Sequence, residues 1–151
     1  MLRILRIGIF FLLLSNCGYV PIYSNQSDAN LNIKITSLEG EKDINISLAQ
    51  KLSRYQNENA EIIFDVKVIS EYEKNSLIKD EAGNTTNFRL SLKVEFLVSV
   101  NGSLKKMKFE EKFDIRKDDK LFEESNYEKV IKKDMINLII QKFTSQLLLI
   151  Q

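Results

Sequence analysis

The sequence predicts an α+β domain of order β-α-β-β-β-α, a four-stranded, largely antiparallel or mixed sheet with two helices packed on one face. Three observations carry this prediction. A long apolar/polar alternation turns back on itself at Asn101-Gly102, two shorter alternations precede it with an apolar helical stripe between them, and a helical pattern fills the C-terminal end.

Leu31, Ile33 and Ile35 alternate with Asn32, Lys34 and Thr36, the pattern of a half-buried strand. Asp43 can cap a helix whose Ile44, Leu48, Leu52 and Tyr55 form one apolar stripe. Ile62, Phe64, Val66 and Val68 then alternate with Ile63, Asp65, Lys67 and Ile69, which predicts a second strand. Residues 71–83 are charged and turn-like and are expected as an exposed loop.

The hairpin follows. Phe88, Leu90, Leu92, Val94, Phe96, Val98 and Val100 alternate with Arg89, Ser91, Lys93, Glu95, Leu97 and Ser99 up to Asn101-Gly102, where both residues tolerate positive φ. Closure there pairs Val100 with Ser103 and places Phe96 opposite Met107, Val94 opposite Phe109, Leu90 opposite Phe113 and Phe88 opposite Ile115. The other face sets Glu95 opposite Lys108, Lys93 opposite Glu110 and Arg89 opposite Asp114, and opposite charges in such positions attract. A one-residue slip would mix the two faces. Leu92 opposite Glu111 is the misfit of this register.

The last helix is expected to open on a capping box, with Ser125 at the N-cap and Glu128 three residues on. Tyr127, Ile131, Met135, Leu138, Ile139, Phe143, Leu147 and Ile150 mark its apolar face. At 1.5 Å per residue it would span about 39 Å, against about 43 Å for each hairpin arm. The helix can therefore lie along the whole ribbon, leaving the opposite sheet face polar and open to a partner.

The N-terminus has its own logic. Arg3 and Arg6 precede an uncharged run at residues 7–14, which polar Ser15 and Asn16 end. That run is far short of the roughly 20 residues a spanning helix needs. Its layout is that of a secretory signal. Leu14-Ser15-Asn16-Cys17 resembles the bacterial lipobox, with Asn16 where a Gly or Ala is usual. The resemblance implies diacylglycerol on the Cys17 sulfur, cleavage before Cys17, and acylation of the new amino group. The alternative is an exported free thiol, and a lone cysteine in an oxidising compartment is a liability that a thioether removes. The expected division is a signal at 1–16, lipidated Cys17 and tether over 17–30, and a single domain over 31–151. Gly18 follows Cys17 where an Asp would signal inner-membrane retention, which favours the outer membrane.

Composition removes whole classes of function. The chain has no His and no Trp. Catalysis by Ser-His-Asp or Cys-His is therefore excluded, as is a conventional zinc site once Cys17 carries lipid. Neither a GxxxxGK[ST] nor a GxGxxG string occurs. Adjacent acids such as Glu110-Glu111 point to opposite faces of a strand and make no acid/base pair. These observations argue against an enzyme and imply no cofactor. The 22 basic and 21 acidic residues nearly cancel, leaving no electrostatic footprint for nucleic acid.

The start CGYVPIY resembles the CGFRPLY-type start of the lipopolysaccharide-assembly lipoproteins, the LptE-like family. The stretch GNTTNFRL at residues 83–90 resembles that family's lead into a hydrophobic strand, and the element order agrees along almost the whole mature chain. The resemblance implies an outer-membrane lipoprotein, lipid-anchored and facing the periplasm. It would plug and help assemble a large LptD-like β-barrel and bind lipopolysaccharide during delivery to the cell surface. The alternative is an envelope lipoprotein that binds protein or lipid without any part in lipopolysaccharide export. Lys105 and Lys106, which face Val98 and Leu97 instead of acids, are the candidate contacts for lipid A phosphates; the competing reading is a solubilising edge charge.

Overall fold

The computed structural model describes residues 31–150, so the signal, Cys17 and the tether lie outside the described residues. The elements are β1 (Asn32–Gly40), α1 (Lys42–Leu52) with a 3-10 turn at Ser53–Tyr55, β2 (Ile63–Lys79), β3 (Thr85–Val100), β4 (Ser103–Arg116) and α2 (Leu121–Leu148). This is the expected β-α-β-β-β-α order. The sheet runs β1-β2-β3-β4, with β1 parallel to β2 and the remaining pairs antiparallel. The β1-α1-β2 unit thus supplies the crossover that two parallel neighbours require.

Hairpin closure occurs as the dipeptide dictates. Asn101 and Gly102 take φ of 50° and 77°, and Val100 pairs with Ser103, Phe96 with Met107 and Phe88 with Ile115. Two of the three cross-strand charge pairs form: Arg89 grips Asp114 through two nitrogens at 2.7 and 2.9 Å, and Lys108 lies 3.1 Å from Glu95. The third does not. Lys93 turns to Glu71 at 3.1 Å on β2, while Glu110 takes Lys112 at 3.1 Å on its own strand. The acids on β2 compete for Lys93 because β3 has a neighbour on each side.

That neighbour corrects the expected loop. Residues 71–79 continue β2, paired from Glu71↔Lys93 to Lys79↔Thr85, and only residues 80–84 turn. A charged segment can remain a strand when a long partner satisfies its backbone and solvent receives its outer side chains.

The core lies between the sheet and the helices. Phe64, Val66, Val68, Leu90, Leu92, Val94, Phe96 and Val98 from the sheet meet Ile44, Leu48 and Leu52 of α1 and Ile131, Met135, Ile139, Phe143 and Leu147 of α2, all buried in one cluster. Phe143 stacks on Phe96 with ring centroids 3.9 Å apart and meets Phe109 edge-on at 6.4 Å. Lys142 of α2 reaches Glu111, so the carboxylate opposite Leu92 is neutralised by the helix above it. The α2 stripe is rotated from the expected one: Ile136, Ile140 and Thr144 are buried, whereas Tyr127 and Leu138 are exposed.

Neither expected cap is used. Lys120, without a side-chain cap bond, precedes α2, which begins at Leu121 and places Ser125 inside the helix. Glu41 precedes α1, and Asp43 sits in its first turn. In α2 the competing demand is on Glu128, whose carboxylate is taken by the sheet instead of the helix end.

Candidate functional site

Three settings gather most of the clustered cations, each positioned by a different set of elements. The first is the outer sheet face. Here alternate residues of four strands form rows of opposite charge, including Lys67 with Glu39 at 2.6 Å and Lys93 with Glu71. Glu95 receives both Lys106 at 2.5 Å and Lys108 at 3.1 Å. The hydrogen bond from Lys106, then that from Lys108, holds the Glu95 carboxyl below its ordinary range. Most charge on this face is consumed internally.

The second setting is the sheet–helix seam between β2 and the first turns of α2. Glu128 accepts the Tyr72 hydroxyl at 2.8 Å, Lys74 at 2.9 Å and Lys132 at 2.9 Å, while Glu124 accepts Lys74 at 2.7 Å. Lys74 also lies 4.5 Å above the Phe88 ring and Lys132 lies 3.9 Å above Tyr72. Burial opposes the Glu128 charge, but hydrogen bonds from Lys132, Lys74 and Tyr72 outweigh it and hold its pKa down to about 2. Burial first, and then the bond to Glu128, pushes the Tyr72 phenol above its usual range. A fully satisfied network of this kind fixes α2 on the sheet and has no free valence for a ligand.

The third setting was not anticipated from the sequence. A groove of about 510 Å³ runs between α1 and α2, and Lys51, Arg54, Lys129, Lys132 and Lys133 line it together with the acids Glu41 and Asp43. Among the described residues Lys51, Arg54, Lys129 and Lys133 have no ion-pair partner. Their charge is therefore available to an anion, and several ammonium and guanidinium donors converging on one groove suit a phosphate. The only sequence signal was the cluster Lys129, Lys132 and Lys133, three and four residues apart on one helix side. Its partners, Lys51 on α1 and Arg54 in the 3-10 turn that follows it, lie about 80 residues earlier.

The predicted site residues are not brought together. Cys17 lies outside the described residues. Lys105 and Lys106 stand opposite Val98 and Leu97 as expected, and both are exposed. As adjacent strand residues they point to opposite faces. Lys106 is not unpaired, because it reaches diagonally to Glu95. Of these two lysines, only Lys105 lacks an ion-pair partner among the described residues. No helix among them is long and apolar enough to cross a membrane.

No protein-family model and no curated protein sequence matches the chain. Solved structures do. The chain is similar to the crystal structure of the rare lipoprotein B from Shewanella oneidensis, with a TM-score of 0.56 and 19% identity over 79% of this chain and 98% of that one. It is also similar to a minor lipoprotein from Acinetobacter baumannii, with a TM-score of 0.50 and 15% identity over 77% of this chain and 92% of that one. At these identities the likeness is one of backbone architecture: this chain has the LptE-like fold.

Proposed function

We propose that the chain is an outer-membrane lipoprotein of the LptE type, anchored through acylated Cys17 and facing the periplasm. It lodges in an LptD-like β-barrel, assists its assembly, and binds lipopolysaccharide on the way to the cell surface. Its role is binding, not catalysis. The observation that carries the reading is the fold shared with rare lipoprotein B over 98% of that chain. The lipobox and the CGYVPIY start support it from outside the described residues.

Within this reading the groove between α1 and α2 is the better-built anion site. Its four unpaired cations converge, whereas Lys105 and Lys106 diverge and Lys106 is already neutralised by Glu95. The test compares lipopolysaccharide binding by the wild type, by Lys129→Glu with Lys133→Glu, and by Lys105→Glu with Lys106→Glu. Co-purification of a barrel protein from solubilised envelopes is scored for each. The groove variant is expected to bind about tenfold more weakly, a loss of about 1.4 kcal/mol, with the barrel complex retained. Equal binding by wild type and groove variant removes the groove, and a larger loss in the Lys105/Lys106 variant returns the site to the hairpin. If no barrel protein co-purifies with the wild type, the LptE-type reading itself fails.

A further inference from the structure

We propose that the outer edge of β4 takes up an extended segment of the barrel partner as a fifth strand. The residues of that segment alternate between apolar side chains on the helix-covered side and mainly acidic ones on the open sheet face. The proposal rests on the barrel reading above and adds the surface through which the partner is met.

The free edge follows from the hairpin. A two-residue turn closes on a pair that exchanges both backbone hydrogen bonds, here Val100 and Ser103, and every second residue beyond them faces its partner in the same way. At the far end the Lys117 amide still donates to the Thr86 carbonyl at 2.8 Å, so the odd-numbered residues face β3 throughout. The even-numbered residues from Leu104 to Arg116 therefore aim their N–H and C=O groups away from the sheet. β4 is the last strand, and among the described residues no loop or side chain bonds to those groups. Its pairing with β3 has no bulge, so the edge is unbroken for about 46 Å. The other edge is different. β1 has 9 residues and a bulge between Ile35 and Ser37, and short, bulged edges resist strand addition.

The side chains beside the edge define what fits. Helix α2 runs antiparallel to β4, with Glu124 bonded to the Asp118 amide just past the strand and Lys142 farther along at Glu111. Leu138, one helical turn back from Lys142, is therefore level with Phe113, two residues on from Glu111. Both are left partly in solvent, Phe113 at 43% and Leu138 at 46% exposure, and apolar side chains on that side of an added strand would cover them. On the open face the edge row reads Lys106, Lys108, Glu110, Lys112, Asp114 and Arg116, four cations and two acids, which favours acidic neighbours. The same row disfavours a second copy, because full two-fold overlap sets Lys108 opposite Lys112 and Glu110 opposite itself. Wall strands of a barrel already pair their backbones with each other. The segment is therefore a loop or terminal arm that enters the lumen, held by backbone hydrogen bonds and selected by its alternate side chains.

Residue-resolved amide hydrogen exchange on the mature lipoprotein, alone and in the complex co-purified from solubilised envelopes, tests the pairing. The amides of Lys106, Lys108, Glu110, Lys112 and Asp114 are expected to exchange about tenfold more slowly in the complex, while their odd-numbered neighbours, bonded to β3 in both, change little. Lys112→Pro removes an outward N–H without touching a bond to β3, and Lys112→Ala makes the same loss of charge with the N–H kept. In the complex the proline variant is expected to lose the slowing at Glu110 and Asp114 and the alanine variant to keep it. Carbodiimide treatment of the wild-type complex is expected to join Lys108 or Lys112 to a carboxylate of the barrel chain. Unchanged even-numbered amides in a complex that forms overturn the strand addition and leave the LptE-type reading standing; this measurement decides alone if the proline variant melts early. Slowing that survives the proline overturns pairing in favour of simple shielding, and cross-links confined to this chain overturn the acidic complement. Slowing of the same amides in the lipoprotein alone, with a doubled mass, gives the edge to a second copy and overturns the barrel segment. A wild type that brings down no barrel protein overturns the barrel reading and the strand addition together.

Discussion

Replacing Glu128 by Gln removes the charge at the centre of the sheet–helix seam while keeping its shape, and the consequence for stability can be worked out with its sign. The side chain is 16% exposed and its carboxylate is held by Lys74, Lys132 and Tyr72. Its pKa falls from the ordinary 4.5 to about 2 on folding. Each tenfold change is worth about 1.4 kcal/mol, so the ionised group contributes about 3 kcal/mol. A depressed carboxyl stabilises above its unfolded pKa, and that stability disappears as pH falls through the folded value. The contribution is therefore complete above about pH 5.5, less than half of it remains near pH 3, and little is left below pH 2. Protonated Glu and neutral Gln resemble each other, so the variant should be about 2–3 kcal/mol less stable at pH 7 and approach the wild type near pH 2. In the variant Lys74 keeps Glu124 and Lys132 keeps the Tyr72 ring, which is why the loss stays below that of a stranded buried charge. Urea denaturation followed by circular dichroism at several pH values between 7 and 2 measures both curves. A difference under about 0.5 kcal/mol at pH 7, or one that stays constant down to pH 2, would refute the reasoning.

Phe143→Ala should cost about 3–5 kcal/mol, because the ring is fully buried between Phe96 and Phe109; Phe143→Leu should cost less, and equal losses in a denaturant titration would show that the aromatic pairs and the cavity contribute nothing separate. Gly40→Ala should cost about 2 kcal/mol or more, since Gly40 has φ +102° and a Cβ there would sit 1.8 Å from the Ser70 carbonyl oxygen. Gly83→Ala, at φ +83° with open space around it, supplies the control, with only the left-handed backbone strain of about 1–2 kcal/mol to show in its melting temperature.

The fold was legible where the causes are local. A period-two alternation on both sides of Asn101-Gly102 leaves one register that keeps the faces apart, and β3 pairs with β4 in that register throughout. The existence and order of both helices follow in the same way from apolar spacing. Less was legible of the site. Lys105 and Lys106 stand at the predicted register positions, yet the diagonal contact of Lys106 with Glu95 depends on side-chain reach that cross-strand pairing does not describe. Glu111 reads as a misfit along the ribbon and becomes intelligible only under Lys142.

By itself, then, the sequence determined this protein's element order, the hairpin register and the apolar faces of the strands, because each depends on residues within a turn or a ladder of one another. Tertiary structure decided the rest. Residues 71–79 are strand because β3 is long enough to pair with them, and Glu128 serves the sheet instead of the helix end because Tyr72 and Lys74 lie beneath it. The cationic groove exists because packing brings Lys51 and Arg54 of one segment against Lys129 and Lys133 of another. Those outcomes turn on competition between distant partners for the same donors, acceptors and charges, and the competition has no winner until the chain has folded.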